Sequence, residues 1–185
     1  MKIIVWNSQD KCVADYHKLI RGCDVLCLLD CGQWTVPVYA LQIQNGLFHW
    51  KDEHEGLSYD IFYCLEKVAF ICRDGLYSGE SVLYSIHSNI GSLVGIRLQD
   101  DFWLFANHES NRSNACHIGE FYLREISDRF RKAAFVADFK EKSYSWAQET
   151  IGRLYCIAPP KGYHPHTINS VSYTHLRAHE TLSDL

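Results

Sequence analysis

Residues 3–6, IIVW, are apolar, and the chain turns polar at Asn7 and stays so through Lys11. Val13, Tyr16, Leu19 and Ile20 then recur at helical spacing, which predicts a short amphipathic helix ending near Gly22. Asp24 opens VLCLL, a nearly continuous apolar strand that ends at Asp30. Strand, helix and strand within thirty residues predict a layered α/β domain. Residues 32–58 carry Pro37, Gly46, Gly56, the run DEHE and scattered aromatics, and read as a long loop with one broken strand. YDIFYC (59–64) and VAFICR (68–73) read as two strands joined by a tight turn, and the glycine-bearing stretch 74–91 as loop. SLVGIRL (92–98) and DFWLFANH (101–108) predict a hairpin turning at Gln99 and Asp100. Ile118, Tyr122, Ile126 and Phe130 predict a helix over 117–130. AAFVADF (133–139) reads as a further strand, and 143–154 as a second helix with Gly152 awkwardly inside it.

The 185 residues suffice for one domain with a substantial core. At 47% hydrophobic and 22% charged the mixture is globular. The net charge of −4 gives no global signature of a nucleic-acid binder, yet a local basic patch and a metal can hold a phosphate backbone on an acidic protein. No stretch approaches the roughly 20 apolar residues that span a membrane. MKIIVWNSQDK is far from a signal peptide, so the chain as written is expected to be cytoplasmic or to have lost a leader.

The eight cysteines include no CxxC pair, which argues against a closed zinc site. Cys23, Cys27 and Cys31 would share one face of a strand over roughly 27 Å, at about 3.3 Å per residue, too far apart to meet at one metal. Buried thiols acting as small hydrophobes are the expected reading, and they suit a reducing compartment. Residues 170–185 lack apolar periodicity, and SVSYTHLRAHET resembles translated sequencing-adapter read-through. The expected native domain is therefore 1–169, and His175 and His179 are set aside with the tail.

Predicted strands end in residues able to do chemistry: IIVW in Asn7, VLCLL in Asp30, FWLFAN in His108, and AFVA in Asp138. Singly, each has an ordinary structural explanation, such as a solvated carboxylate or a satisfied histidine. Together they fit a ligand site, because ligands of layered α/β domains collect at strand ends. Such a set suits phosphodiester or phosphomonoester hydrolysis. Asp30 would hold a hard divalent cation, Mg²⁺ foremost, to stabilise charge on the phosphoryl oxygens. Asn7 would orient a phosphate or an acidic partner, and Asp138 would position and activate water. His108 would donate to the phosphate or transfer a proton, and Arg97 would clamp the phosphate.

Four stretches carry a family resemblance: VWNSQD (5–10) with CDVLCLLDCG (23–32), SLVGIRLQDDFWLFANHES (92–110), FVADFKEKSYSW (135–146) and RLYCIAPPKG (153–162). In this order they resemble the endonuclease/exonuclease/phosphatase superfamily, the fold of the DNase I type. Within it they are most similar to the catalytic B subunit of cytolethal distending toxin. The resemblance covers about 1–165. It implies a four-layered α/β sandwich with two packed mixed β-sheets, a Mg²⁺-dependent endonuclease acting on DNA, and toxin delivery subunits as partners. It also implies secretion if the parent is a toxin with a missing leader. By position it makes His108, Asp138 and Asn7 catalytic, Arg97 and Lys140 phosphate-binding, and Asp30 the metal ligand.

The departures are specific. Asp30 stands where the family has Glu, one methylene shorter, and Ala137 replaces a Gly. Lys140 replaces an Asn and offers only donors, although it can still contact phosphate. The family's closing Ser-Asp-His segment is not matched, His164 and His166 are too early for it, and the domain is expected to be incomplete and inactive by itself. A phosphoinositide or other small-molecule phosphatase on the same fold, a non-catalytic binding domain, and an α/β domain with merely polar strand ends remain the alternatives.

Overall fold

The computed structural model describes residues 1–8, 13–32, 35–64, 68–85, 92–108, 129–130, 132–137, 155–157 and 166–169. In chain order the elements are β1 (Lys2–Asn7), α1 (Val13–Arg21), β2 (Val25–Leu29), β3 (Leu41–Gln44), β4 (Leu47–Lys51), β5 (Ser58–Cys64) and β6 (Val68–Arg73). They continue with β7 (Tyr77–Ser85), β8 (Ser92–Leu98), β9 (Phe102–His108), β10 (Ala133–Ala137), β11 (Tyr155–Ile157) and β12 (His166–Asn169). A seven-stranded sheet runs β12-β1-β2-β6-β5-β4-β3, and a five-stranded sheet runs β11-β10-β9-β8-β7. Both are mixed: β1 and β2 are parallel in the first, β9, β10 and β11 in the second, and the other pairings are antiparallel.

The sheets bury their facing sides against each other. Alternate residues Ile3 and Val5, Val25, Cys27 and Leu29, and Val68 and Phe70 meet Val94 and Ile96, Leu104 and Ala106, and Ala134 and Val136. The intervening residues of β2 and β6, Leu26, Leu28, Ala69 and Ile71, face the other way and are also buried. They need a second cover, which explains why both strands read as unbroken apolar runs. Part of that cover is α1, whose Tyr16 and Ile20 are buried there with Trp50 and Tyr59. The helix stops at Gly22, whose N–H donates to the Leu19 carbonyl. Across the five-stranded sheet, the rings of Trp103 and Phe105 stack 5.8 Å apart and Phe130 packs on both.

Two sheets and their packing agree with the sandwich expected from sequence. Among the described residues one helix, α1, contributes to an outer layer, and the four-layered arrangement is not shown. The second expected helix (143–154) and all but the end of the first (117–130) lie outside the described residues, as does the tail 170–185.

Two expected loops are strands. Within 32–58, β3 and β4 form a hairpin whose two-residue turn is Asn45-Gly46, with Gly46 at φ 75°. Asn-Gly suits a turn that needs left-handed backbone. Within 74–91, β7 pairs with β8, and the irregularity between Tyr77 and Ser81 absorbs Gly79 at φ 88°. The cysteine spacing also needs correcting. β2 covers only Val25–Leu29, so Cys23 and Cys31 lie beyond its ends. Those two join the helix-side cluster while Cys27 joins the inter-sheet core, so the three do not share a face. All three are buried free thiols, as expected of small hydrophobes. β3 closes one side of the seven-stranded sheet and is exposed throughout.

One short connection fixes how the two sheets align. Only Asp74, Gly75 and Leu76 separate β6 from β7, and the Gln99 N–H donates to the Leu76 carbonyl. The end of the first sheet at Arg73 and Asp24 therefore adjoins the end of the second at Tyr77 and the 99–101 turn. The C-terminal ends of β1, β2, β9 and β10 consequently collect at the opposite end of the sandwich.

Candidate active site at the strand ends

Asn7 pairs in register with Leu29, so the ends of β1 and β2 lie side by side. Ser8 ties them together: its N–H donates to the Leu29 carbonyl at 2.8 Å, and its buried hydroxyl to the same oxygen at 3.2 Å. Asp30 follows at once with φ 52°. Left-handed backbone in a non-glycine residue costs of order 1–3 kcal/mol and is concentrated at functional sites. In the second sheet, Asn107 pairs with Ala137, so the ends of β9 and β10 lie side by side. Asn107 itself is buried. The structure thus gathers the backbone positions Asn7, Asp30 and His108 at one end, each at the close of a strand.

The remaining expected site residues fall differently. Asp138 and Lys140 lie outside the described residues. Arg97 is not brought to this end. It pairs with Trp103, five residues before His108, which is roughly 17 Å away along the strand. The β8–β9 hairpin reverses the chain, so adjacency in sequence order becomes separation in space. Arg97 instead meets Glu80 at 2.5 Å and Asp101 at 3.0 Å. His166, set aside as too early in the chain, opens β12 opposite Val5, two residues short of Asn7. Only sheet register could have placed it there.

Two other polar groups stand out. Asp52, 2% exposed, receives the His54 N–H at 3.0 Å and lies 2.9 Å from His17 Nε2, with Arg21 at 3.7 Å. Burial pushes its carboxyl up, but these hydrogen bonds and the charges of His17 and Arg21 outweigh that and hold it below the usual range. This group pins α1 to the 52–57 loop. Separately, His49 Nδ1 lies 3.0 Å from Asp60 Oδ1, and donor atoms of His49, Asp60 and Asp74 all lie within 4.8 Å of one another. This is a possible metal-binding group.

No family model matches the sequence, and no curated protein matches it. Among solved structures, TDP2 from C. elegans superposes with a TM-score of 0.50 at 15% identity, over 77% of this chain and 49% of that one. Its selenomethionine form gives 0.52 at 14% identity, over 77% and 48%. The fold is DNase I-like. At this identity the likeness extends to the fold alone, and the chain spans about half the length of the solved structures it matches.

Within this DNase I-like sandwich, the strand-end group offers an oxygen donor suited to a hard cation in Asp30 and, in the residue types Asn7 and His108, an amide and an imidazole. Mg²⁺ is bound through one or two carboxylates with substrate phosphate and water completing its shell, and a single Asp fits that pattern. The buried thiols offer no competing chemistry. Cys23 is pushed up to about 12 by burial and by Asp24, and Cys27 and Cys72 are raised by burial as well.

Proposed function

We propose that the chain is part of a metal-dependent phosphodiesterase that cleaves DNA, of the cytolethal distending toxin B kind. The observation that carries this reading is that the strand-end positions Asn7 and Asp30 of one sheet and His108 of the other lie at the same end of a DNase I-like sandwich. The likeness to TDP2 is one of fold, which accords with this reading.

In this reading Asp30 holds Mg²⁺, which supplies charge stabilisation at the phosphoryl oxygens when bound. Asn7 hydrogen-bonds the phosphate and fixes its orientation. Asp138 orients the attacking water, and His108 carries a proton to or from the phosphate. Lys140 adds a positive charge near the same phosphate. Arg97 is left out of the phosphate clamp because it lies at the far end of β8. Delivery subunits and secretion belong to the toxin form of this proposal.

The test is nicking of supercoiled plasmid by the protein, with Mg²⁺ or EDTA, alongside His108→Ala and Asp30→Asn. Loss of nicking of roughly 100-fold or more in His108→Ala is expected of a proton-transfer residue. Equal nicking by the wild-type and His108→Ala proteins would refute the role of His108. Phosphate release from phosphoinositides without nicking would replace the nuclease reading with a phosphatase.

A further inference from the structure

The cluster of His49, Asp60 and Asp74 lies away from the strand-end site. Asp74 opens the β6–β7 link, at the end of the sandwich opposite Asp30. His49 and Asp60 are cross-strand partners on β4 and β5, and Asp60 is in turn the partner of Cys72 on β6. Histidine, aspartate and cysteine therefore form one row across three strands. Asp74 follows Cys72 by two residues, and its N–H donates to the Ser58 carbonyl at 2.9 Å.

We propose that this cluster is a binding site for a borderline divalent transition metal such as Zn²⁺, separate from the phosphoesterase site. The donor set is one imidazole nitrogen and two carboxylate oxygens. Imidazole suits Zn²⁺, Co²⁺ and Ni²⁺, whereas Mg²⁺ prefers oxygen alone. Bonds of about 2.1 Å in tetrahedral geometry place ligand atoms about 3.4 Å apart. His49 Nδ1 and Asp60 Oδ1, 3.0 Å apart, now share a hydrogen bond, which a metal would replace as the pair opens by roughly 0.4 Å, and the 4.8 Å bound leaves Asp74 a closure of at most about 1.4 Å. Asp74 is exposed and sits on a turn, so a side-chain rotation supplies that closure.

The surroundings favour a cation. The neighbouring guanidinium of Arg73 is engaged by Asp24 at 3.4 Å and by the Cys23 carbonyl at 3.2 Å. The Tyr77 hydroxyl is shut off from solvent and has no hydrogen-bond partner of ordinary geometry, although Ser81 is near enough to temper its ionisation. A bound metal would tie β4 and β5 to the β6–β7 link and so brace both sheets from the end away from the active site.

The experiment is equilibrium dialysis of the chain against Zn²⁺, with Co²⁺ as an optical probe. One tightly held ion per chain is expected, with a tetrahedral Co²⁺ spectrum lacking an intense thiolate band. His49→Gln and Asp74→Asn should each weaken uptake by roughly tenfold or more. Asp74 is exposed, so Asp74→Asn keeps the test decisive if His49→Gln fails to fold. Asp30→Asn should bind Zn²⁺ as the wild type does, which separates this site from the proposed function. Absence of stoichiometric uptake, a thiolate band, or unchanged affinity in Asp74→Asn would each overturn the proposal.

Discussion

Replacing Asp52 removes a buried polar tie between α1 and the 52–57 loop. Its carboxylate, 2% exposed, takes the His54 amide at 3.0 Å and His17 at 2.9 Å, with Arg21 beside it at 3.7 Å. A hydrogen bond to a charged group contributes about 1.5–3 kcal/mol, and breaking a fully buried pair costs about 3–5 kcal/mol. His17 and Arg21 are 26% and 33% exposed, so water recovers part of the loss. The expected cost of Asp52→Ala is then about 2–4 kcal/mol. With a urea m-value near 2 kcal/mol/M, the midpoint falls by about 1–2 M at unchanged slope. Asp52→Asn keeps an acceptor for His54 and loses the charge, so its cost is smaller. The pH dependence carries a sign. The folded carboxyl lies below its unfolded value of about 3.9. Its stabilisation is therefore complete above that value and lost as pH falls through the folded pKa. The gap between wild type and Asp52→Asn should be full at pH 7 and close in acid. A midpoint shift under about 0.3 M for Asp52→Ala, or a gap that persists undiminished to about pH 2, would refute the reasoning.

Further outcomes are expected elsewhere. A Cβ on Gly95 would run into the Phe105 ring, so Gly95→Ala should cost about 1–3 kcal/mol in thermal or urea unfolding. Gly46→Ala places a Cβ 2.7 Å from the Tyr63 carbonyl oxygen at φ 75°, with a similar loss of about 1–3 kcal/mol; a neutral result would overturn the turn geometry. Arg97→Ala should change stability by less than about 1 kcal/mol, because its partners are exposed, and should leave plasmid nicking intact. Cys23, Cys27 and Cys72 should resist iodoacetamide in the folded chain and react in urea, as read by mass spectrometry. Early alkylation of Cys27 would contradict its burial.

Strands buried on both faces were legible because they need no alternation: VLCLL and VAFICR read as unbroken apolar runs. LQIQ did not, since an edge strand exposed throughout carries no burial pattern, and its Asn-Gly turn passed for loop. Strand ends followed directly from strand limits, which is why Asn7, Asp30 and His108 were legible as strand-end positions. Arg97 lies away from the strand ends for a geometric reason: it sits near the β8–β9 turn, while His108 closes the far end of β9. His49, Asp60 and Asp74 could not have been grouped from sequence, because pairing across β4, β5 and β6 is a non-local property. Asp52, inside the run DEHE read as loop, is buried with His17 and Arg21 of α1 against it, a non-local contact.

The placement of β1 between β2 and β12 has a kinetic meaning. The first strand to leave the ribosome finds one neighbour within about twenty residues and waits for the other until the chain reaches Asn169. At 5–20 residues per second, that wait is on the order of ten to thirty seconds. Throughout it, β1 is the outermost strand of the growing sheet and presents an open hydrogen-bonding edge. The nascent chain is therefore most vulnerable to mispairing late in synthesis, and any change that delays β12 prolongs the exposure of the oldest strand in the molecule.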